Sequence, residues 1–228
     1  MIVQYDVIII GAGAAGMMSA IEAGKRGRKV LLVDHYKKIG EKIRISGGGR
    51  CNFTNIHTNP NKFISQNPKF VRSALSQYTQ NDFTNLINKY EIKFHEKKLG
   101  QLFCDHSAQQ IVEMLLKECE LAKVTILKEF IIKDVSKDYD QYLVSTETDK
   151  YSSESLIIAT GGLSVPKIGA TSLGYEIAKK FEHNIVETLP ALVPLTFSEK
   201  ILEMCKELTG LSVEAIVSFN KVLFQEGM

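Results

Sequence analysis

Three glycines and one aspartate near the start of the chain have the types and spacing needed to bind a dinucleotide. Gly11, Gly13 and Gly16 follow a short apolar run, and Asp34 ends a second apolar run, 18 residues beyond Gly16. Glycine at these positions allows a tight turn, close approach of a pyrophosphate and close packing of the next helix. The aspartate can accept hydrogen bonds from a ribose diol, and its charge disfavours a 2′-phosphate. The pattern leaves open whether the dinucleotide is NAD or FAD.

The flanking segments separate this interpretation from its alternative, a glycine-rich turn in an ordinary α/β protein. Residues 7–10 and 30–33 are continuous apolar runs, typical of strands buried on both faces. The helix predicted between them begins near Ala14 and Ala15, and its first amides offer a partial positive charge to phosphates. A strand, glycine turn, helix and second strand form a βαβ unit, and this context favours the dinucleotide interpretation.

A second group of residues suited to anion binding follows at positions 42–52. Three consecutive glycines stand between Ser46 and Arg50, and such a backbone can reach positive φ and approach a ligand closely. We expect no packing role for these glycines. Lys42, Arg44 and Arg50 flank the run, so amides and cations can converge on one anion. A flexible surface loop with solvated charges is the alternative, and the preceding dinucleotide motif favours the anion site.

Composition and charge argue against several function classes. The 228 residues carry a net charge of +2 and 44% hydrophobic residues, enough for one large domain or slightly more. The near-neutral balance argues against nucleic acid or a membrane surface as a partner. Four scattered cysteines are typical of reduced thiols in the cytoplasm. Cys104, His95 and His106 have no fourth ligand at zinc spacing, so no metal site is predicted.

A second strand ending in glycine is predicted before residue 162. Residues 156–159 are apolar and lead into Thr160, Gly161 and Gly162, where the backbone can again approach a ligand. Residues 124–127 are predicted to return to the main sheet. Three further segments are predicted to form a meander, namely residues 130–135, residues 141–146 and a short piece near 150–151. The sequence therefore predicts an α/β fold.

The two glycine loops also give the chain a family resemblance. Residues 5–16 and 38–55 resemble those of the HI0933-like flavoproteins, bacterial NAD(P)/FAD-dependent oxidoreductases of which some are aminoacetone oxidase-like. The resemblance implies a three-layer, Rossmann-like FAD-binding domain with a parallel sheet and a β-meander, followed by the start of an inserted, mostly-β domain. It implies FAD as the bound dinucleotide, NAD(P)H as a transient electron donor and a small-molecule substrate.

The resemblance further implies which residues surround the cofactor. Residues 46–52 would lie beside the flavin and pyrophosphate, and Phe130 would touch the adenine through its backbone. The predicted cofactor-binding residues are Gly11, Gly13, Ala14, Ala15, Gly16, Asp34, His35, Lys42, Ser46, Gly47, Gly48, Gly49, Arg50, Cys51, Asn52, Phe130, Thr160, Gly161 and Gly162. Gln101 and Phe103 are predicted on the substrate side. No catalytic acid or base is identified, and Cys51, with no partner cysteine in sequence reach, is assigned to packing or hydrogen bonding.

The end of the chain departs from the family pattern. Residues 1–190 correspond to an incomplete FAD-binding domain and residues 191–228 to the beginning of the insert, which they enter at residues 190–195. We expect an N-terminal portion whose exposed apolar tail self-associates. The chain is predicted to be an FAD-dependent oxidoreductase or, alternatively, a non-catalytic FAD-binding fragment. A flavin-dependent RNA-modifying enzyme is a further alternative, which the charge of +2 disfavours.

Overall fold

The structure, a computed structural model, describes residues 2–189 and 196–227. Its contacts divide the chain into two compact units, residues 1–185 and residues 186–228. The predicted domain boundary, and the predicted entry into the insert at residues 190–195, lie outside the described residues, so both stay predictions. No helix in the described ranges is long and apolar enough to cross a membrane.

The first unit contains both strands and helices. Its strands are β1 (Ile2–Ile10), β2 (Val30–Val33), β3 (Asn52–Asn55), β4 (Phe94–Glu96), β5 (Gln101–Cys104), β6 (Thr125–Leu127), β7 (Asp134–Asp138), β8 (Gln141–Ser145) and β9 (Lys150–Ile158). Its α-helices are α1 (Ala14–Lys25), α2 (Glu41–Ile45), α3 (Arg72–Gln77), α4 (Gln80–Lys89), α5 (Gln109–Leu121) and α6 (Leu173–Lys180).

Six of these strands form one sheet in the order β6-β2-β1-β9-β8-β7. The contacts β6–β2, β2–β1 and β1–β9 are parallel, and β9–β8 and β8–β7 are antiparallel. The strands β3, β5 and β4 form a separate antiparallel sheet. The predicted α/β class with a parallel sheet and a meander is confirmed.

The apolar run of β1 is continuous because helices or other strands cover both of its faces. Val7 and Ile9 belong to one core cluster, which includes residues of α1 and α5. Ile8 and Ile10 point to the opposite face and join a second cluster with residues of β7, β8 and α6. Alternation along one strand therefore contributes to two cores and gives the unit its three layers.

The strand predictions after residue 127 need two corrections. The first meander strand begins at Asp134, and residues 128–133 form no strand, although 130–135 was predicted as one. The pieces predicted separately near 150–151 and at 156–159 are one strand, β9, which pairs with β1 from Ile2 to Ile10. Ser152 and Ser153 are buried in its middle. Their polar side chains break the apolar pattern by which a buried strand is predicted.

The second unit is small. Its described elements are α7 (Glu199–Glu207), β10 (Glu214–Phe219) and β11 (Val222–Gly227). The two strands pair antiparallel in a hairpin that turns at Asn220 and Lys221, both with positive φ.

Candidate dinucleotide-binding site

A cavity of about 1150 Å³ opens where β1, β2 and β9 end. Ile10, Val33 and Ile158, the last residues of these strands, line its wall. Because all three strands are parallel, their carboxyl ends meet at the same edge of the sheet. Ligands of open α/β sheets bind at this edge. The volume is that of a small-molecule or cofactor site.

The three motif glycines differ in what a side chain would meet. A Cβ on Gly11, where φ is +104°, would lie 2.5 Å from the carbonyl oxygen of Ala159. A Cβ on Gly16 would lie 1.8 Å from the carbonyl oxygen of Gly11, so helix α1 packs directly against the turn. A Cβ on Gly13 would meet no atom within 4 Å, and Gly13 lines the cavity. Two glycines thus allow the turn and the packing, while the third leaves open space for a ligand.

Helix α1 points its N-terminus at this open space. Its N-cap residue is Gly13, so no side chain caps the first turn. The cavity wall includes Ala14 and Ala15, whose amides belong to that turn. Uncapped N–H groups and the helix dipole favour a negatively charged group, such as a pyrophosphate, at this position.

Asp34 connects β2 to the glycine turn. Its Oδ2 accepts a hydrogen bond from the amide of Ala12 at 2.7 Å, and its Oδ1 accepts one from the amide of Tyr36 at 2.8 Å. The carboxylate is 15% exposed and lines the cavity. An ionised carboxylate has about four lone-pair sites, so two remain for the hydroxyl groups of a ribose. His35 lies beside it, with Nδ1 3.6 Å from Oδ1.

Phe130 lies in the same wall, and its backbone amide is already hydrogen-bonded. Its amide donates to the carbonyl oxygen of Asp34 at 2.9 Å, and its ring is 5.3 Å from that of Tyr151. The amide therefore already has a partner, and a backbone contact to an adenine would use the carbonyl oxygen of Phe130. That contact stays a prediction.

Lys42 joins two of the predicted segments. Its Nζ donates to the carbonyl oxygen of Gly162 at 2.8 Å, which ties helix α2 to the loop after β9. An ammonium has three N–H donors, so two remain beside the cavity that Lys42 lines. Thr160 and Gly161 line the same cavity. The charge of Lys42 is thus available to an anionic ligand.

The triple-glycine loop needs one correction. Gly47, Gly48 and Gly49 all have positive φ, as expected for the run. A Cβ on Gly47, however, would lie 2.6 Å from the ring of Phe103 and 2.8 Å from the amide of Asn52. Gly47 therefore does serve packing, contrary to the expectation for this run. A Cβ on Gly48 would meet no atom within 4 Å.

Cys51 has no second cysteine near it in the sequence, but the fold places Cys104 beside it. The amide of Cys104 donates to the carbonyl oxygen of Arg50 at 2.9 Å, which brings Cys104 next to Cys51. Burial raises the pKa of the Cys51 thiol. Burial, together with the nearby Cys51 thiol, raises the pKa of Cys104 to about 12. Both groups are free thiols and stay protonated at neutral pH.

The structure brings thirteen of the predicted cofactor-binding residues into the cavity wall. They are Gly11, Gly13, Ala14, Ala15, Asp34, His35, Lys42, Ser46, Cys51, Asn52, Phe130, Thr160 and Gly161. The cavity-lining residues do not include six others, which are Gly16, Gly47, Gly48, Gly49, Arg50 and Gly162. They also do not include Gln101 and Phe103. The role of each of these residues stays a prediction.

Two further parts of the cavity wall were not predicted from the sequence motifs. Residues 168–176 line the cavity before and within the first turn of α6. A Cβ on Gly174 would lie 2.3 Å from Oγ1 of Thr160, so this glycine lets α6 approach the loop after β9. Phe53 and Phe83 also line the cavity, with ring centroids 6.1 Å apart. The glycines of residues 168–176 were an available signal, whereas Phe83 is indistinguishable from a core residue in the sequence.

The sheet order, the glycine turn and the cavity define a Rossmann-type domain of the FAD-binding flavoprotein class. The HI0933-like protein Rossmann domain matches residues 5–221. The chain belongs to this family, as the sequence resemblance predicts.

Curated relatives match most of the chain. The sequence is 48% identical over 226 residues to the ribosomal RNA dihydrouridine synthase of Escherichia coli, covering 99% of this chain and 56% of that protein. It is 42% identical to the protein of the same name from Haemophilus influenzae, covering 97% of this chain and 58% of that protein. A 3-dehydro-bile acid delta(4,6)-reductase of Clostridium scindens is 26% identical over 82% of this chain and 46% of its own length. The chain thus spans about half the length of the relatives it matches.

Proposed function

We propose that this chain binds FAD in the cavity and belongs to an FAD-dependent oxidoreductase. The observation that supports this most directly is the open space beside Gly13, at the uncapped N-terminus of α1. A pyrophosphate can approach the backbone there without displacing a side chain. The site therefore suits a dinucleotide, and the family favours FAD over NAD.

Each part of the wall has a role toward the cofactor in this proposal. The amides of the first turn of α1 bind the pyrophosphate, and the free lone pairs of Asp34 accept hydrogen bonds from the ribose. Lys42 adds a positive charge beside the cavity while it holds the loop after β9 in place. When bound, FAD accepts a hydride from a donor such as NAD(P)H and passes it to an acceptor.

The cofactor assignment is tested by substitution in helix α1. The purified chain should show a two-band flavin spectrum and release FAD on denaturation. Gly13→Val should abolish FAD binding because its side chain would occupy the place of the pyrophosphate. Glu22→Val, on an exposed part of the same helix, is the control and should keep FAD. Release of a different nucleotide, or full FAD content in Gly13→Val, would contradict the proposal.

A second candidate names the substrate as a uridine in RNA. It is favoured by the 48% identity to the Escherichia coli ribosomal RNA dihydrouridine synthase over nearly the whole chain. Dihydrouridine is uridine whose C5–C6 double bond has gained two hydrogen atoms; a bound flavin would supply the hydride and a proton donor would supply the second hydrogen. In this candidate the substrate is RNA and not the small molecule that the family resemblance implies. It also differs from the prediction, made from the charge of +2, that the chain has no nucleic-acid partner.

The two substrate classes are separated by one assay. The FAD-bound chain is incubated with NAD(P)H and RNA, and the nucleosides are analysed by mass spectrometry. A uridine that gains the mass of two hydrogen atoms supports the second candidate. NAD(P)H oxidation with a small acceptor and unchanged RNA would support the small-molecule oxidoreductase. FAD binding without either reaction would support the non-catalytic alternative. We place this chemistry in the cytoplasm, where the free thiols would stay reduced.

A further inference from the structure

The charge of the chain is segregated in a way that the total of +2 conceals. The whole chain has 28 basic residues (Lys and Arg) and 26 acidic residues (Asp and Glu). The 40 residues from 42 to 81 contain six of the basic residues and none of the acidic ones. The other 188 residues therefore carry 22 basic and 26 acidic side chains, a net charge of −4. The net charge of +2 is thus an average over the chain and does not exclude RNA binding at this segment.

Half of these cations lie on one exposed stretch, residues 56–72, which we name the basic loop. It runs from the end of β3 to Arg72, the first residue of α3, and also contains Lys62 and Lys69; most of its residues are exposed, although Val71 is buried. All three cations are exposed, and among the described residues no acidic side chain lies within 4.0 Å of their charged groups. Unpaired, exposed cations on an acid-free segment form a surface that attracts polyanions.

Exposed apolar side chains alternate with these cations. Phe63 and Phe70 are 38% and 56% exposed, and their ring centroids lie 6.3 Å apart in an edge-to-face arrangement. Ile64, between them in sequence, is fully exposed. Cations that follow a backbone and aromatic rings that stack on bases are the two components of single-stranded nucleic acid recognition.

The basic loop lies between two elements, β3 and α4, that line the cavity. Phe53 in β3 precedes the loop and Phe83 in α4 follows it, and both line the cavity wall. Gln80 in α4 also donates from its side-chain amide to the carbonyl oxygen of Ile56, at 3.2 Å. A polymer bound on the loop would therefore lie next to the cavity that is proposed to hold the flavin.

We propose that the basic loop binds single-stranded RNA and holds it beside the cavity, an inference that rests on the second candidate function. The phosphates would be bound by Lys62, Lys69 and Arg72, and exposed bases would stack on Phe63 and Phe70. An anionic membrane also attracts cations and apolar side chains, but it supplies no base that could enter the neighbouring cavity. RNA accounts for both the surface and its position.

The test compares two variants with the same change in net charge. In the first, Lys62, Lys69 and Arg72 are replaced by Ala; in the control, Arg28, Lys150 and Lys179 are replaced by Ala. The control cations are exposed and lie outside residues 42–81, and Lys150 pairs with Ile2 at the opposite end of the sheet from the cavity. The probe is a labelled, uridine-rich single-stranded RNA of about 16 nucleotides, and its affinity is measured against salt concentration.

The basic-loop variant should bind the RNA at least about tenfold more weakly at low salt. Its slope of log K against log salt should be shallower by about 2, as expected for three lost phosphate contacts on a single strand. The control variant should keep the wild-type affinity and the wild-type salt slope. Phe70→Ala should weaken binding about fivefold or more with an unchanged salt slope. FAD content and circular dichroism should be unchanged in all variants.

Four outcomes would overturn the inference. Equal losses in the basic-loop variant and the control would show unspecific attraction. Loop-dependent binding to vesicles of anionic phospholipid, with no RNA binding, would identify a membrane surface instead. RNA binding that survives in the basic-loop variant would place the RNA site elsewhere and leave the second candidate intact. A wild-type chain that holds FAD but binds no RNA would refute the second candidate together with the inference.

Discussion

The two units of the chain contain similar types of residue but bury them very differently. In the first unit, large side chains such as Leu31, Leu32 and Met114 are buried in two clusters on the two faces of the sheet. In residues 196–225, every residue except Cys205 and Ala215 is exposed. The apolar residues of the first unit therefore stabilise a core, whereas those of the second form surface.

The hairpin of the second unit shows why apolar composition alone does not make a core. The register pairs Val217 with Phe224 and Phe219 with Val222, so these four side chains share one face. All four are exposed. An isolated two-stranded hairpin is only marginally stable, because a core needs a further layer on such a face. Layering, and not hydrophobicity, distinguishes the two units.

The largest expected difference comes from truncating one large apolar side chain in each unit. Leu31→Ala should lower the free energy of unfolding by about 2–5 kcal/mol, because it leaves a cavity among fully buried neighbours. Phe219→Ala should change it by less than about 0.5 kcal/mol, as at other exposed positions. Urea unfolding followed by circular dichroism measures both. An equally large loss in Phe219→Ala would show that the hairpin is covered in solution.

A buried charge in the first unit should give the next largest effect. Glu118 accepts hydrogen bonds from Lys89 at 2.7 Å and from Tyr90 at 2.8 Å, and Lys25 lies 2.8 Å away. Burial raises its pKa, but these three partners outweigh burial and bring the pKa from 4.5 to about 2. Because the folded-state pKa is lowered, the stabilisation is present above pH 4.5 and is lost as the pH falls towards 2.

Glu118→Gln removes this stabilisation. It should lower the free energy of unfolding by about 1–3 kcal/mol at pH 7, a range reduced because both lysines are half-exposed. The loss should shrink between pH 4.5 and 2, where the wild-type carboxylate itself becomes protonated. Glu113→Gln, exposed on the same helix, is the control. A difference between wild type and Glu118→Gln that does not change over this pH range would refute the charge argument.

We also propose that the chain self-associates through the exposed face of the hairpin. If the exposed face of Val217, Phe219, Val222 and Phe224 meets a second copy, the mass in solution should rise with concentration. Phe219→Ser should shift this equilibrium towards the monomer by about tenfold, an effect of roughly 1.4 kcal/mol. Ile64→Ser, at an even more exposed apolar position of the first unit, should not shift it. Sedimentation equilibrium measures the mass in solution at several protein concentrations. A monomeric mass at all concentrations would exclude self-association.

The smallest effect is a difference in thiol reactivity between the units. Cys51, Cys104 and Cys119 are buried in the first unit, whereas Cys205 in the second is only partly buried. Burial raises the pKa of Cys119 to about 11, and it also raises those of Cys51 and Cys104. One thiol should therefore react rapidly with a thiol reagent at pH 7 and three slowly. Cys205→Ser should remove the fast phase; its persistence would mean that a thiol of the first unit is accessible.

The βαβ unit and the class of the site could be predicted from local sequence signals alone. Glycine at positions 11, 13 and 16 and Asp34 after β2 are local requirements of the turn and the ligand, so they are visible without any contact information. The apolar runs of β1 and β2 are equally local signals. The family resemblance was visible for the same reason.

Features that depend on residues far apart in the sequence could not be predicted before the fold was known. The polar strand β9 is stable between β1 and β8 because both neighbours pair with its backbone, and Ser153 donates to the carbonyl oxygen of Ser155. The buried carboxylate of Glu118 is stabilised by lysines on two other helices. The pairing of β3 with β5 brings Cys104 next to Cys51. Gly47 is required by the ring of Phe103, more than fifty positions away. Each of these properties depends on which side chains the fold brings together, and no local pattern of residue types contains that information.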